Sequence, residues 1–106
     1  MTNIQDVLRQ AKAKIEDPDH WCTGEFALNA YGLPIAPGSN QAARWCSIGA
    51  IEAILEIPGT DTLRARLKLN RAAFDNFGHG VTIVNDHLGH EAVMRMYDEA
   101  IKLADD

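Results

Sequence analysis

The sequence predicts a mainly α protein: a compact four-helix domain with a short irregular or β-hairpin insert between helices 1 and 2. Three observations predict it. Apolar residues recur at spacings of three and four in four separate segments. The stretch from His20 to Pro37, between the first two, has no such period. The chain has 106 residues, 46% hydrophobic and 24% charged, the size and balance of one globular domain able to fold without metal or disulfides.

The first helix carries Ile4, Val7, Leu8, Ala11 and Ile15 on one stripe. Thr2 with Gln5 fits a capping box, and Asp17-Pro18 ends the helix because the residue before proline is pushed out of the helical region. In the insert, Phe26 and Leu28 alternate with polar neighbours. Asn29-Ala30-Tyr31-Gly32 supplies a turn, and Pro34 limits any strand to an edge.

The second helix is expected from about Gln41 to Glu56, with Trp45, Ile48 and Leu55 on its stripe and Cys46, Gly49 and Ala50 thickening it. Gly49 inside a helix costs about 1 kcal/mol against alanine, so close approach of another backbone or a bulky side chain is expected there. Pro58-Gly59 stops this helix. The third starts after Thr60 or Asp61, with Leu63, Leu67 and Phe74 on one face and Arg64, Lys68 and Arg71 on another. Phe77-Gly78-His79-Gly80 breaks it, and β-branched Val81-Thr82-Ile83-Val84 reads as a strand or buried extended loop. The last helix runs from about Leu88 to Leu103, capped by Asn85, Asp86 or His87. The expected core is Trp45, Ile48, Gly49, Leu55, Leu67, Phe74, Val93, Tyr97 and Ile101.

Taken in order, Glu16-Asp17-Pro18, Trp21, Gly24, Arg44-Trp45-Cys46-x-x-Gly49-Ala50, Asn85-Asp86 and Asp98-x-Ala100-Ile101 resemble domain of unknown function family 6197, a family of small bacterial and phage proteins. The resemblance spans nearly the whole chain and implies a mostly helical fold without a known activity. One departure is Val84, where that family often has an aromatic before Asn-Asp.

The net charge of −5 argues against general nucleic-acid binding, which needs a basic excess. No apolar run reads as a signal peptide or bilayer span, so a cytoplasmic chain with reduced thiols and no membrane contact is expected. Spacing does not decide whether Cys22 and Cys46 pair.

Asp86-His87-x-x-His90-Glu91 is the best metal-like run, but it straddles a helix start, and capping or surface roles are the simpler reading. Neither His-Glu-x-x-His nor Cys-x-x-Cys occurs, and neither a metal nor a cofactor is expected. Cys46, on an apolar face, reads as a buried small residue rather than a nucleophile. No complete catalytic constellation is present, so binding is expected over catalysis.

The candidate ligand residues are Trp21, Arg44, Arg64, Arg71, Asn85, Asp86 and His87. Trp21 offers a stacking face in an irregular segment, the arginines an anion site, and Asn85-Asp86 an edge for a base or ribose. The expected function is a small non-enzymatic protein binding or sequestering an anionic, nucleotide-like molecule, an immune signal being one form. So small a chain would share the pocket between protomers of a homo-oligomer. The alternatives are a protein-interaction or scaffold module, and a metal- or cysteine-dependent hydrolase.

Overall fold

Asn3 opens the first helix, α1 (Ile4–Ile15): its side chain accepts the Asp6 N–H at 2.8 Å, satisfying one orphan donor of the first turn. The computed structural model describes residues 3–54 and 59–104, so Thr2, proposed above as the cap, lies outside the described residues. Val7, Leu8, Ala11 and Ile15 are fully buried, as their spacing predicts. A 3₁₀ turn at Pro18–His20 follows.

The insert is larger than its lack of helical period suggested. Strand β1 (Ala27–Asn29) pairs antiparallel with β2 (Ala42–Trp45), Ala27 facing Trp45 and Leu28 facing Arg44. Trp21 adds a parallel bridge to Trp45. Residues 42–45 therefore form a strand, where the sequence reading placed the first turn of the second helix. Ala and Arg favour helix locally. Here sheet pairing wins, together with the Trp45 indole N–H, which donates to the Pro37 carbonyl at 3.0 Å.

The helix that does form, α2 (Ser47–Glu52), starts after Cys46. Gly49 shows why this segment needs a glycine. A Cβ there would lie 1.9 Å from the Phe26 carbonyl oxygen, so only a bare backbone lets β1 approach. Leu55 lies outside the described residues.

Helix α3 (Gly59–Phe77) has two unlike faces. Ala65, Leu69, Ala72 and Ala73 are buried, whereas Leu63, Leu67 and Phe74 are 54%, 60% and 55% exposed. The expectation that Leu67 and Phe74 belong to the core is thus wrong. The small residues of the other face let α3 pack close, and the larger stripe points outward.

Val81–Val84 is not extended either. Val81–Ile83 is a single helical turn, α4, and it runs directly into a π-helix over Val84–Leu88. Val81 and Val84, one turn apart, are both buried, which overrides their β preference. Gly89, at φ +92°, redirects the chain into α5 (His90–Leu103) and stands where Asn85, Asp86 or His87 was expected to cap.

Val93, Met96, Tyr97 and Ala100 of α5 join α1 and α3 in the core, while Trp45, Ile48 and Ile101 are partly buried against it. Gln5 donates to the Ile101 carbonyl at 3.1 Å, and Lys12 meets Asp98 at 2.8 Å across α1 and α5. The protein is mainly helical with one small two-stranded sheet. Among the described residues no helix is long and apolar enough to cross a membrane.

Candidate functional site

The π-helix aims Asn85 and Asp86 at the insert. A π turn carries one more residue than an α turn and re-aims its side chains, a distortion frequent at functional positions. The buried Asn85 Oδ1 accepts the Trp21 indole N–H at 2.8 Å, the Ser47 N–H at 2.9 Å and the Ser47 hydroxyl at 2.7 Å. Its amide nitrogen donates to the Cys22 carbonyl at 3.1 Å and to Asp86 Oδ1 at 2.9 Å. The two N–H donors fix which amide atom is oxygen. Asp86 Oδ1 also accepts the Gly24 N–H at 3.1 Å. The Tyr97 hydroxyl donates to the Ser47 carbonyl at 2.5 Å, tying α5 to α2. One amide thereby joins the insert, α2 and the π-helix.

Beside this network lies a cleft of about 190 Å³, walled by Gly24, Glu25, Phe26, Cys46, Ile48, Val81, Thr82, Asn85 and Asp86. A groove of about 370 Å³ between α3 and α4 shares Ile48, Val81 and Thr82 with it and adds Leu63, Arg66, Leu67, Asn70, Phe74, Gly80 and Ile83. On the other side of Leu67, a third depression of about 490 Å³ is walled by Ile4, Arg64, Lys68, Arg71, Leu103 and Ala104.

Of the seven ligand residues proposed above, Trp21, Asn85 and Asp86 come together. Trp21 spends its indole N–H inside the network and packs edge-on against His90, ring centres 5.3 Å apart. Arg64 and Arg71 line the basic side of α3 instead. Arg44 is exposed on β2, and His87 is exposed on the π-helix next to Asp86. Ser47 and Tyr97 were missed. Ser47 lies inside a segment read as mid-helix, and its bonds to Asn85 span 38 residues of sequence.

Chemically the site is quiet. Cys46 caps α2, its Sγ accepting the Gly49 N–H at 3.3 Å. It is buried, as expected, but ahead of the helix rather than on its face. Burial raises its thiol pKa despite the bonds from Gly49 and Ile48. Burial and the neighbouring Cys46 push the Cys22 thiol up to about 11, and Cys22 and Cys46 are both free. Nucleophilic thiol chemistry needs the opposite shift. His90 Nε2 lies 2.7 Å from the Ile15 carbonyl oxygen, away from His87's open position. Among the described residues no three His, Cys, Asp or Glu side chains converge as a metal site would require.

A family model matches residues 1–103, nearly the whole chain. The chain belongs to the DUF6197 family. That family is one of unknown function, so membership brings no activity to the site just described. No curated protein and no solved structure matches the chain.

Proposed function

We propose that this DUF6197 member is a non-catalytic interaction module whose binding face is the groove between α3 and α4. The observation that carries the reading is the exposure of Leu63, Leu67, Phe74 and Ile83 along that groove, from 41% to 60%. Scattered exposed apolar residues are ordinary; a clustered set lining a groove marks an interaction surface. The quiet thiols and the committed His90 support binding over hydrolysis.

A second reading keeps a small ligand, nucleotide-like or otherwise, in the cleft beside Asp86. Asp86 Oδ1 takes both internal bonds described above, which supports Oδ2 and the exposed Thr82 as polar contacts for a guest. At about 190 Å³ the cleft is smaller than a usual small-molecule pocket, which begins near ~300 Å³. That size supports a single ring or one side chain of a docked partner better than a whole nucleotide.

Paired affinity capture from the native host tests the reading. Wild type is compared with Leu67→Glu/Phe74→Glu, both residues being exposed and therefore expendable for folding. The expected result is a stoichiometric polypeptide held by wild type and lost from the variant at unchanged melting temperature. Equal retention by the two would refute it. A small molecule released from both on denaturation would favour the second reading.

A further inference from the structure

The chemistry of the groove's rim narrows what fills it. Along α3, Leu63, Leu67, Asn70 and Phe74 follow a spacing of four, three and four, the seam of a heptad helix pair. The faces behind it, Ala65, Leu69 and Ala72, are already buried in the core. The seam is therefore a second apolar stripe on a helix whose first stripe is satisfied.

Its flanks are basic. Arg64 and Arg71 border the seam on one edge and Arg66 on the other, with Lys68 beyond Arg64. Arg66 is paired with Glu52 at 3.3 Å, and Arg71 with Asp75 at 3.4 Å in an exposed pair of little strength. Among the described residues neither Arg64 nor Lys68 has a carboxylate partner. Yet the chain as a whole carries −5. This concentration of positive charge beside an apolar seam is local.

That pattern disfavours a second copy lying along α3. In an antiparallel pair the Arg64/Arg71 edge would face itself. In a parallel pair Arg66 would face the second copy's Arg71. Flanking positions of a helix pair select partners by charge, and like charges reject. We propose that the groove between α3 and α4 seats an amphipathic helix of another protein. Its apolar residues lie on Leu63, Leu67, Phe74 and Ile83, and its carboxylates run along the edge that meets Arg64, Lys68 and Arg71. The mode is a helix in a groove, with apolar anchors for affinity and charge for choice of partner. The inference rests on the interaction reading above.

The test uses two fluorescently labelled helical peptides with the same apolar seam, one flanked by Glu and one by Lys, titrated with the full chain and read by anisotropy. The Glu peptide is expected to bind about tenfold more tightly, the sum of two or three exposed ion pairs, and the preference should shrink in high salt. Arg64→Glu/Lys68→Glu should reverse the preference, and Leu67→Glu should abolish binding of both peptides without changing the melting temperature. Equal binding of the two peptides, unmoved by Arg64→Glu/Lys68→Glu, overturns the acidic partner and leaves the apolar face standing. So does a wild-type dimer in light scattering that Leu67→Glu dissociates. Failure of both peptides to bind, or binding indifferent to Leu67→Glu, overturns the inference and the interaction reading together.

Discussion

Replacing Asn85 with alanine removes five hydrogen bonds at once, to Trp21, Ser47 twice, Cys22 and Asp86. The damage lies less in the bonds lost than in the groups stranded. The Ser47 N–H and the Cys22 carbonyl sit in buried residues, and among the described residues Asn85 is their hydrogen-bond partner. A buried unsatisfied donor or acceptor costs about 1–3 kcal/mol. The Trp21 indole and the Ser47 hydroxyl recover part of theirs by turning or meeting water. The total for Asn85→Ala is therefore about 3–5 kcal/mol, a large share of the roughly 5–15 kcal/mol by which a domain is stable. Urea unfolding followed by circular dichroism measures it, and for a chain of this size the melting temperature should fall by about 15 °C or more. Tryptophan emission, from Trp21 and Trp45 together, should shift to the red as the insert loosens. Ser47→Ala, which removes one hydroxyl and strands no backbone group, should cost only about 1 kcal/mol. A loss for Asn85→Ala no greater than that for Ser47→Ala would refute the argument that this amide holds the insert to the helices.

Three further outcomes follow from the same packing. Gly49→Ala should destabilise by about 1–3 kcal/mol in urea titration, against the gain helix propensity alone predicts, because the new methyl meets the Phe26 carbonyl oxygen. Tyr97→Phe should cost about 1 kcal/mol by removing the buried hydroxyl's bond to the Ser47 carbonyl, which keeps its place in the hydrogen bonding of α2, with the fold otherwise intact in circular dichroism. Stability should fall in alkali. The Cys22 thiol ordinarily ionises at 9.0 and in the folded chain only at about 11, so the unfolded form loses its proton first and gains as pH rises between the two. Cys22→Ala should lessen that decline in denaturation curves taken across the window, leaving the part due to Cys46, whose thiol burial also raises. Tyr97, raised by burial above its ordinary 10.0, prolongs it at still higher pH.

Much of this architecture is legible in the residues because helices α1 and α5 bury a single periodic stripe each. The misreadings have physical causes. Ala42–Trp45 is locally helix-prone, and only pairing with β1, itself fixed by a distant glycine at position 49, makes it a strand. Val81–Val84 is locally strand-prone, yet burying Val81 and Val84 together requires a helical turn. On α3, two apolar stripes compete, and periodicity does not say which turns inward. The one rich in alanine does, because small side chains permit closer packing. At the site, Asn85-Asp86 stands out in the sequence, but its partners lie up to 64 residues away, beyond the reach of local pattern. The basic residues of α3 are equally visible; that they flank an exposed apolar seam emerges only once α3 is oriented.

The groove's role is tested most directly by photo-cross-linking in the native host, with a photoreactive amino acid placed at position 67 or, as a control on the α5 surface, at position 98. The account predicts a discrete cross-linked species from position 67 that contains a second, different protein and is missing from position 98. Cross-linking that is equal at both positions, or absent from position 67 in a folded protein, would contradict it.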